Sequence, residues 1–172
     1  FDLVLRWFCR QGIRPLVLTV PEVRGGRATE FDMRRRSGMN LVPATVGGLR
    51  QALRHLERGG AVLTGIDRPV PQPRLLPRFF GRPAAVPVHP ILLAMRARVP
   101  LAVIAATLEP DGKYHVGVSE MIEPQGDPRK EADTLRNAEK VLRVAEGFIR
   151  RAPQQWSVPL AVWPSVLELA PQ

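Results

Sequence analysis

The 172-residue sequence predicts an α/β protein, with a mostly parallel sheet flanked by helices in a single domain over residues 1–172. Short apolar runs alternate along the chain with longer segments of helical periodicity, which is the pattern of βαβ units. Hydrophobic residues make up 45% of the chain and charged residues 24%, as in ordinary globular proteins. The length suffices for one hydrophobic core, and no linker or internal repeat divides the chain.

The N-terminal part of the sequence alternates between helix and strand. The clearest helix carries Val46, Leu49, Leu53 and Leu56 on one face and ends in a Gly-Gly pair. An earlier apolar helix should end at Gly12, because glycine is favoured just beyond a helix C-terminus. The predicted helices cover residues 2–11, a short part of 25–37 with Thr29 as its N-cap, and 45–60, and the predicted strands cover 15–20, 40–43 and 61–66.

The C-terminal part predicts two longer helices and a pair of neighbouring strands. Pro90 suits the first turn of a helix over residues 90–99. A Pro-Asp-Gly turn at 110–112 separates strands over 101–108 and 113–122, which should lie beside each other. The remaining predicted elements are a long helix over 128–151 and an apolar, proline-rich tail over 158–172 that either docks on the body or belongs to the substrate surface.

The charge balance indicates an anionic partner. The formal net charge is +9, and all but three of the 25 basic residues are arginines, whose planar forks suit phosphate and carboxylate oxygens. Nucleic acid, phospholipid headgroups and a phosphorylated cofactor are therefore candidates. The competing interpretation is a surface of solvated arginines.

The sequence lacks the motifs that are typical of several kinds of functional site. Cys9 is the only cysteine and the three histidines are widely spaced, so no metal site is predicted. The serines lie in no nucleophile elbow, and the chain has no phosphate-binding loop of the P-loop type. No apolar run reaches the ~18 residues that a membrane-spanning helix needs.

The stretch LLPRFFGRPAAVPVHP, residues 75–90, is more elaborate than a connection requires. Ligands of open α/β sheets gather at the carboxyl ends of the strands, so this stretch, the segment after Val20 and Asp67 should lie close together. Phe79 and Phe80 fit a pocket wall or the core. Asp67 is suited to orient a base or to pair with Arg68 or Arg82, and it is equally suited to cap a turn.

Three segments, taken in order, resemble the bacterial lipid A biosynthesis acyltransferase family, which includes the phosphatidylinositol mannoside acyltransferases. They are RRRSGMNLVPATVGGLRQALRHLERGGAVLTGIDRP, PRFFGRPAAVPVHPILLAMRARVPLAVIAATLEPDGKYHVGV and APQQWSVPLAVWP. The resemblance covers most of the chain and implies a glycerolipid acyltransferase-like fold. It also implies acyl transfer from an acyl-carrier protein or acyl-CoA thioester to a hydroxyl of a membrane glycolipid or lysophospholipid, with no further cofactor.

The family motif His-x4-Asp implies a general base held by a carboxylate. Asp2 takes the position of the acid, and the histidine would be the fourth residue before Phe1. The sequence is thus expected to be a fragment that lacks its base and does not turn over substrate. Without the resemblance, Asp2 is simply a carboxylate at the favourable positive end of a helix dipole.

The resemblance also implies a set of substrate-binding residues. Arg36 and Asp67 would orient the acceptor, with Arg34 competing with Arg36 for one position among three consecutive arginines. The further members are Arg68, Phe80, Gly81 and Arg82. The residues after Gln155-Trp156 depart from the usual aromatic and basic pattern, which favours the mannoside branch.

The expected location is the cytoplasmic face of the inner or plasma membrane, with attachment by a preceding N-terminal anchor or peripherally through arginines and an apolar surface. The expected partners are the acyl donor, the glycolipid acceptor and an anionic membrane surface, without nucleic acid. The alternative function is a non-catalytic basic α/β domain that binds lipid or nucleic acid.

Overall fold

The computed structural model describes residues 2–20 and 26–164. It confirms the α/β fold class, with a three-stranded parallel sheet and flanking helices. The chain forms two compact units, residues 1–65 and 66–172. The assignment of residues 1–172 to one domain stays a prediction.

The N-terminal unit contains the parallel sheet. Its order is β2-β1-β3, and both outer strands run parallel to the central one. The elements are α1 (Asp2–Arg10), β1 (Leu16–Thr19), α2 (Gly26–Arg36), β2 (Asn40–Pro43), α3 (Val46–Glu57) and β3 (Val62–Leu63).

The central strand β1 is the most buried part of this unit. Leu16, Val17 and Leu18 are all buried, as expected for a strand that pairs on both edges and is covered on both faces. Leu5 of α1 and Met39 pack with Val17 in one core cluster. The strand predicted for residues 15–20 is therefore confirmed, and the structure places it at the centre of the sheet.

Helix α3 confirms the predicted helix, but its buried residues are Gly48 and Ala52, whereas Val46, predicted on the apolar face, is 68% exposed. The side-chain oxygen of the N-cap, Thr45, accepts a hydrogen bond from the backbone N–H of Gly48 at 3.2 Å. Gly48 is buried, and a Cβ atom there would overlap the carbonyl oxygen of Pro43 and approach Val42. The first turn of α3 thus contacts the backbone of β2 at a distance that only glycine permits.

Gly48→Ala should lower the free energy of unfolding by about 1–3 kcal/mol, because the added methyl group must displace the backbone of β2. Gly47→Ala is the matched control. A Cβ atom at Gly47 meets only ordinary contact, so the better helix propensity of alanine should stabilise the protein by about 0.5–1 kcal/mol. Urea denaturation measures both variants, and equal effects of the two substitutions would contradict the close packing.

Two sequence-based boundaries in this unit were wrong. Helix α2 begins at Gly26, so Thr29 lies inside it and is not its N-cap. The helix starts earlier because Arg27 and Ala28 are good helix formers. Strand β3 covers only two of the six residues predicted for 61–66, because its pairing with β1 ends at Leu63. Asp67 consequently follows the strand by four residues instead of one.

The C-terminal unit contains two antiparallel strand pairs and two packed helices. The pairs are β4 with β5 and β6 with β7. The elements are β4 (Arg78–Phe79), β5 (Arg82–Pro83), α4 (His89–Ala97), β6 (Ile104–Leu108), β7 (Tyr114–Val118), α5 (Glu131–Arg151) and a 3-10 helix (Pro153–Gln155). The two strands flanking the turn at 110–112 do lie beside each other, although both are shorter than predicted.

The core of this unit lies between α4, α5 and the β6–β7 pair. Ile91 and Met95 of α4 pack with Val141 and Ala145 of α5, and Val103 closes the cluster. The predicted apolar stripe of the long helix is therefore the face that it buries. None of the helices within the described residues is both long and apolar enough to cross a membrane.

Candidate functional site

The stretch 75–90 contains a tight hairpin that the sequence did not predict. Phe80 and Gly81 form the two-residue turn between β4 and β5, with φ angles of 51° and 77°. Glycine adopts this left-handed region freely, whereas a phenylalanine there is strained by about 1–2 kcal/mol. Such strain persists only where surrounding contacts hold the residue, and it occurs preferentially at functional sites.

Four aromatic side chains meet at this hairpin, and we call Phe79, Phe80, Trp156 and Trp163 the aromatic cluster. Each ring centroid lies within 6.3 Å of the other three. Phe79 is fully buried and belongs to the core, while Phe80 is half-buried at the surface of the cluster. Phe79 is therefore a core residue, whereas a pocket-wall role for Phe80 stays a prediction.

Asp67 contacts the aromatic cluster directly. Its Oδ2 atom accepts a hydrogen bond from the indole Nε1–H of Trp156 at 2.9 Å. The other tryptophan donates its Nε1–H to the backbone carbonyl of Phe79, also at 2.9 Å. Both partly buried indole N–H groups thus have an acceptor, and Asp67 is held in place at the edge of an apolar surface.

Glu146 holds the backbone of the strained turn in place at Phe80. This buried residue of α5 accepts the backbone N–H of Phe80 at Oε1, 2.6 Å away. Its other oxygen, Oε2, pairs with Nη2 of Arg150 at 2.8 Å, and the guanidinium of Arg150 lies 4.9 Å from the centre of the Phe80 ring. A carboxylate and a cation therefore fix both the backbone and the ring of Phe80.

Glu146→Ala should lower the free energy of unfolding by about 1.5–3 kcal/mol, because it removes a charged acceptor from the N–H of a strained residue. Glu139→Ala is the matched control, since Glu139 on the same helix accepts the N–H of Arg78 at 3.0 Å in an exposed position. Its loss should cost about 0.5–1.5 kcal/mol. Urea denaturation compares the two, and a smaller effect at Glu146 than at Glu139 would contradict this assignment.

The remaining predicted residues of the C-terminal unit lie at its surface. Arg82 is exposed on β5, where it pairs with Phe79, and Arg68 is exposed beside Asp67. The carbonyl oxygen of Gly81 accepts a hydrogen bond from Nη1 of Arg78 at 3.2 Å. The structure therefore brings Asp67 and Phe80 together through Trp156, with Gly81 in the same hairpin.

The other predicted residues belong to the N-terminal unit. Asp2 is the first residue of α1. Arg34 and Arg36 lie in the last turn of α2, where Arg36 is exposed and the guanidinium of Arg34 lies 5.2 Å from the centre of the Phe31 ring. The segment after Val20, expected at the same site, lies outside the described residues over 21–25.

Sequence reasoning missed three residues of this site: Glu146, Arg150 and Trp163. A signal for Glu146 was present, because it occupies a position in the apolar stripe of α5, next to Ala145. A carboxylate on a buried helix face, followed four residues later by an arginine, indicates a buried partner elsewhere. Trp163 and the buried Val162 lie in the described part of the apolar tail, and both pack in the core cluster that contains Phe79.

His89 is a further titratable residue of the stretch 75–90. His89 is the first residue of α4, and burial lowers the pKa of its imidazole, so the ring is neutral at pH 7. Its Nε2 atom is buried without a hydrogen-bond partner in the part of the chain that the structure describes. Over residues 2–20 and 26–164, no group of three histidine, cysteine or acidic side chains could hold a metal ion.

The arrangement suits a substrate that is apolar in one part and polar in another. The aromatic cluster offers apolar contact area, Asp67 can accept a hydrogen bond at its edge, and Arg150 supplies a positive charge beside Phe80.

Comparison with known proteins identifies the family. The family model described as bacterial lipid A biosynthesis acyltransferase matches residues 29–163, which is well over half of the chain. A search of the curated proteins gives no match. The matched range includes the aromatic cluster, Glu146 and all the candidate residues except Asp2. The chain therefore belongs to the bacterial lipid A biosynthesis acyltransferase family.

Proposed function

We propose that this protein transfers a fatty acyl group from an acyl-carrier protein or acyl-CoA thioester to a hydroxyl group of a membrane glycolipid. The family supports the general activity, which is acyl transfer between a donor and a lipid acceptor. The observation that carries the proposal is the match over residues 29–163, because it spans the aromatic cluster and its polar contacts. The finer choice of donor and acceptor rests on the resemblance of the three quoted segments.

The proposed mechanism is general-base catalysis without a covalent acyl-enzyme. A histidine at the fourth position before Phe1, in the family pattern, would remove the proton from the acceptor hydroxyl. The oxygen then attacks the thioester carbonyl, the C–O bond forms, the C–S bond breaks and the thiolate takes the proton from the imidazolium. Asp2 would fix the tautomer of the histidine and stabilise its cation.

The substrate would contact an apolar wall and a set of polar side chains. The aromatic cluster supports an acyl-chain wall, because Phe80 is half-buried and held at its backbone and its ring. Asp67, Arg68 and either Arg34 or Arg36 would orient the acceptor, and Arg82 would meet an anionic headgroup. Arg150 joins this group because its guanidinium stacks on Phe80 and is partly exposed.

The proposed location is the cytoplasmic face of the membrane that contains the acceptor. The net charge of +9 supports attachment to an anionic leaflet, where each basic residue near the surface contributes about 1 kcal/mol. Flotation with anionic and with neutral phosphatidylcholine vesicles tests this location. We expect binding to the anionic vesicles that weakens as salt is raised.

The decisive test uses a protein that carries the proposed histidine at the fourth position before Phe1. It is incubated with acyl-CoA or acyl-carrier protein, in separate reactions, and with either a lipid A precursor or a phosphatidylinositol mannoside as acceptor. Mass spectrometry of the lipid product should show one added acyl group for at least one donor and acceptor pair. Binding of the lipids without any acylated product would instead favour the non-catalytic lipid-binding alternative.

A further inference from the structure

The C-terminal unit contains a cleft that the proposed function does not use. It has a volume of about 540 Å³ and lies between the end of α4 and the loop that precedes α5. Its lining includes Met95, Arg96 and Arg98 on one side and Glu123, Asp127 and Arg129 on the other. This volume is within the range of ordinary small-molecule sites.

A buried asparagine joins the two walls of this cleft. Asn137 of α5 exchanges hydrogen bonds with the backbone of Gln125, accepting its N–H at 3.0 Å and donating to its carbonyl oxygen at 2.7 Å. Its Nδ2 atom also lies 3.7 Å from Sδ of Met95, in the opposite wall. One buried polar side chain therefore fixes the loop against α4, and the shape of the cleft is built into the fold.

The loop is also rigid in its own right. The backbone N–H of Asp127 donates to Oδ2 of Asp133 at 2.8 Å. Gly126 has a φ angle of 90°, and a Cβ atom there would overlap the Asp133 carboxylate. Pro124 and Pro128 restrict the backbone on either side. The loop therefore presents its side chains to the cleft from a fixed backbone.

The charges around the cleft favour an anion. Oδ1 of Asp127 accepts the backbone N–H of Arg129 at 2.9 Å and pairs with its guanidinium at 3.3 Å, so these two charges offset each other. The backbone N–H and the guanidinium of Arg129 both lower the pKa of Asp127, which keeps it ionised. Arg96 and Arg98 make no side-chain hydrogen bond or ion pair with any residue that the structure describes. The lining therefore contains two further guanidinium groups, those of Arg96 and Arg98, and one further carboxylate, that of Glu123.

We propose that this cleft binds the phosphate group of a phosphorylated ligand, held by the guanidinium forks of Arg96 and Arg98. Guanidinium matches two phosphate oxygens at once, and the rigid loop limits the ordering that binding requires. The cleft is large enough to take a further part of the ligand beyond the phosphate. The inference does not depend on the proposed function, because its test measures binding and not acyl transfer.

Titration calorimetry of the full chain with inorganic pyrophosphate, at low ionic strength, tests the site. Arg96→Ala and Arg98→Ala should each raise the Kd for pyrophosphate by about tenfold. Arg143→Ala is the matched control, because it removes the same charge from an exposed position on α5. The control should change the Kd by less than about twofold, whereas Glu123→Gln should lower it by removing a like charge.

Two outcomes would overturn the site. One is no binding of pyrophosphate at millimolar concentration. The other is an equal loss of affinity for pyrophosphate in Arg143→Ala, which would mean attraction to diffuse surface charge. Circular dichroism should show an unchanged fold, since Arg96 and Arg98 are exposed.

Competition then identifies the source of the phosphate. Displacement by coenzyme A assigns it to a nucleotide-containing thiol, displacement by glycerol 3-phosphate to a lipid headgroup, and displacement by neither to free phosphate species, all three being consistent with the site.

Discussion

Replacing Asp2 by alanine should lower the rate of acyl transfer by about 10²–10⁴-fold, which is the usual contribution of general-base catalysis. In the proposed mechanism, this carboxylate fixes the tautomer of the base and stabilises the imidazolium that forms. The measurement is the initial rate of lipid acylation by a protein that carries the proposed histidine at the fourth position before Phe1. Circular dichroism should show the same helix content in both proteins.

Asp32→Ala is the control for this experiment, because Asp32 is an exposed helical carboxylate that pairs only at 3.6 Å with Arg35. Its removal should leave the rate within about twofold, as expected for a surface ion pair. If Asp2 acts only through the helix dipole, its removal costs about 0.3–1 kcal/mol of stability and leaves the rate unchanged. That outcome would remove Asp2 from the proposed catalytic pair.

Phe79→Ala should lower the free energy of unfolding by about 3–5 kcal/mol, the range for deleting a buried phenylalanine ring. Phe79 is 0% exposed, and its ring contacts Phe80 at 4.8 Å and Trp156 at 5.7 Å between centroids. The deletion leaves a cavity that these side chains cannot fill, because Phe80 is fixed by Glu146 and Trp156 by Asp67. Urea denaturation followed by tryptophan fluorescence measures the loss.

Tyr114→Ala provides the comparison, since Tyr114 is 57% exposed on β7 and its deletion should change the free energy of unfolding by no more than about 0.5 kcal/mol. Phe79→Leu should lie between the two, because it keeps part of the apolar volume. A change below about 1 kcal/mol in Phe79→Ala would contradict the central position of this ring in the aromatic cluster.

Much of the local structure was predictable from the sequence. Helix α3 shows why: its apolar period and its terminal glycines lie within one short segment. The turn at 110–112 likewise predicted the pairing of β6 with β7. By contrast, the hairpin at Phe80-Gly81 was not predicted, because the usual signal is Asn-Gly or Asp-Gly and phenylalanine rarely adopts a positive φ.

The candidate site was predictable only in part. The family resemblance implied Asp67 and Phe80 as site residues, which stays a prediction, but neither their partners nor the reason for their positions followed from it. Trp156 stands out in the sequence only as part of a motif, and the helical pattern around Glu146 and Arg150 is that of an ordinary amphipathic helix. Helical periodicity describes which face of a helix is buried, and it carries no information on what that face meets.

The sequence by itself determined the α/β class, the approximate positions of the helices and strands, the arginine-rich charge and the family resemblance. These properties follow from backbone preferences and hydrophobic spacing over a few residues. Only the tertiary structure decided that Trp156 binds Asp67 across 89 positions and that Glu146 holds Phe80 across 66. Such contacts form because folding must satisfy each buried polar group and fill each gap in the core, wherever along the chain the partner lies.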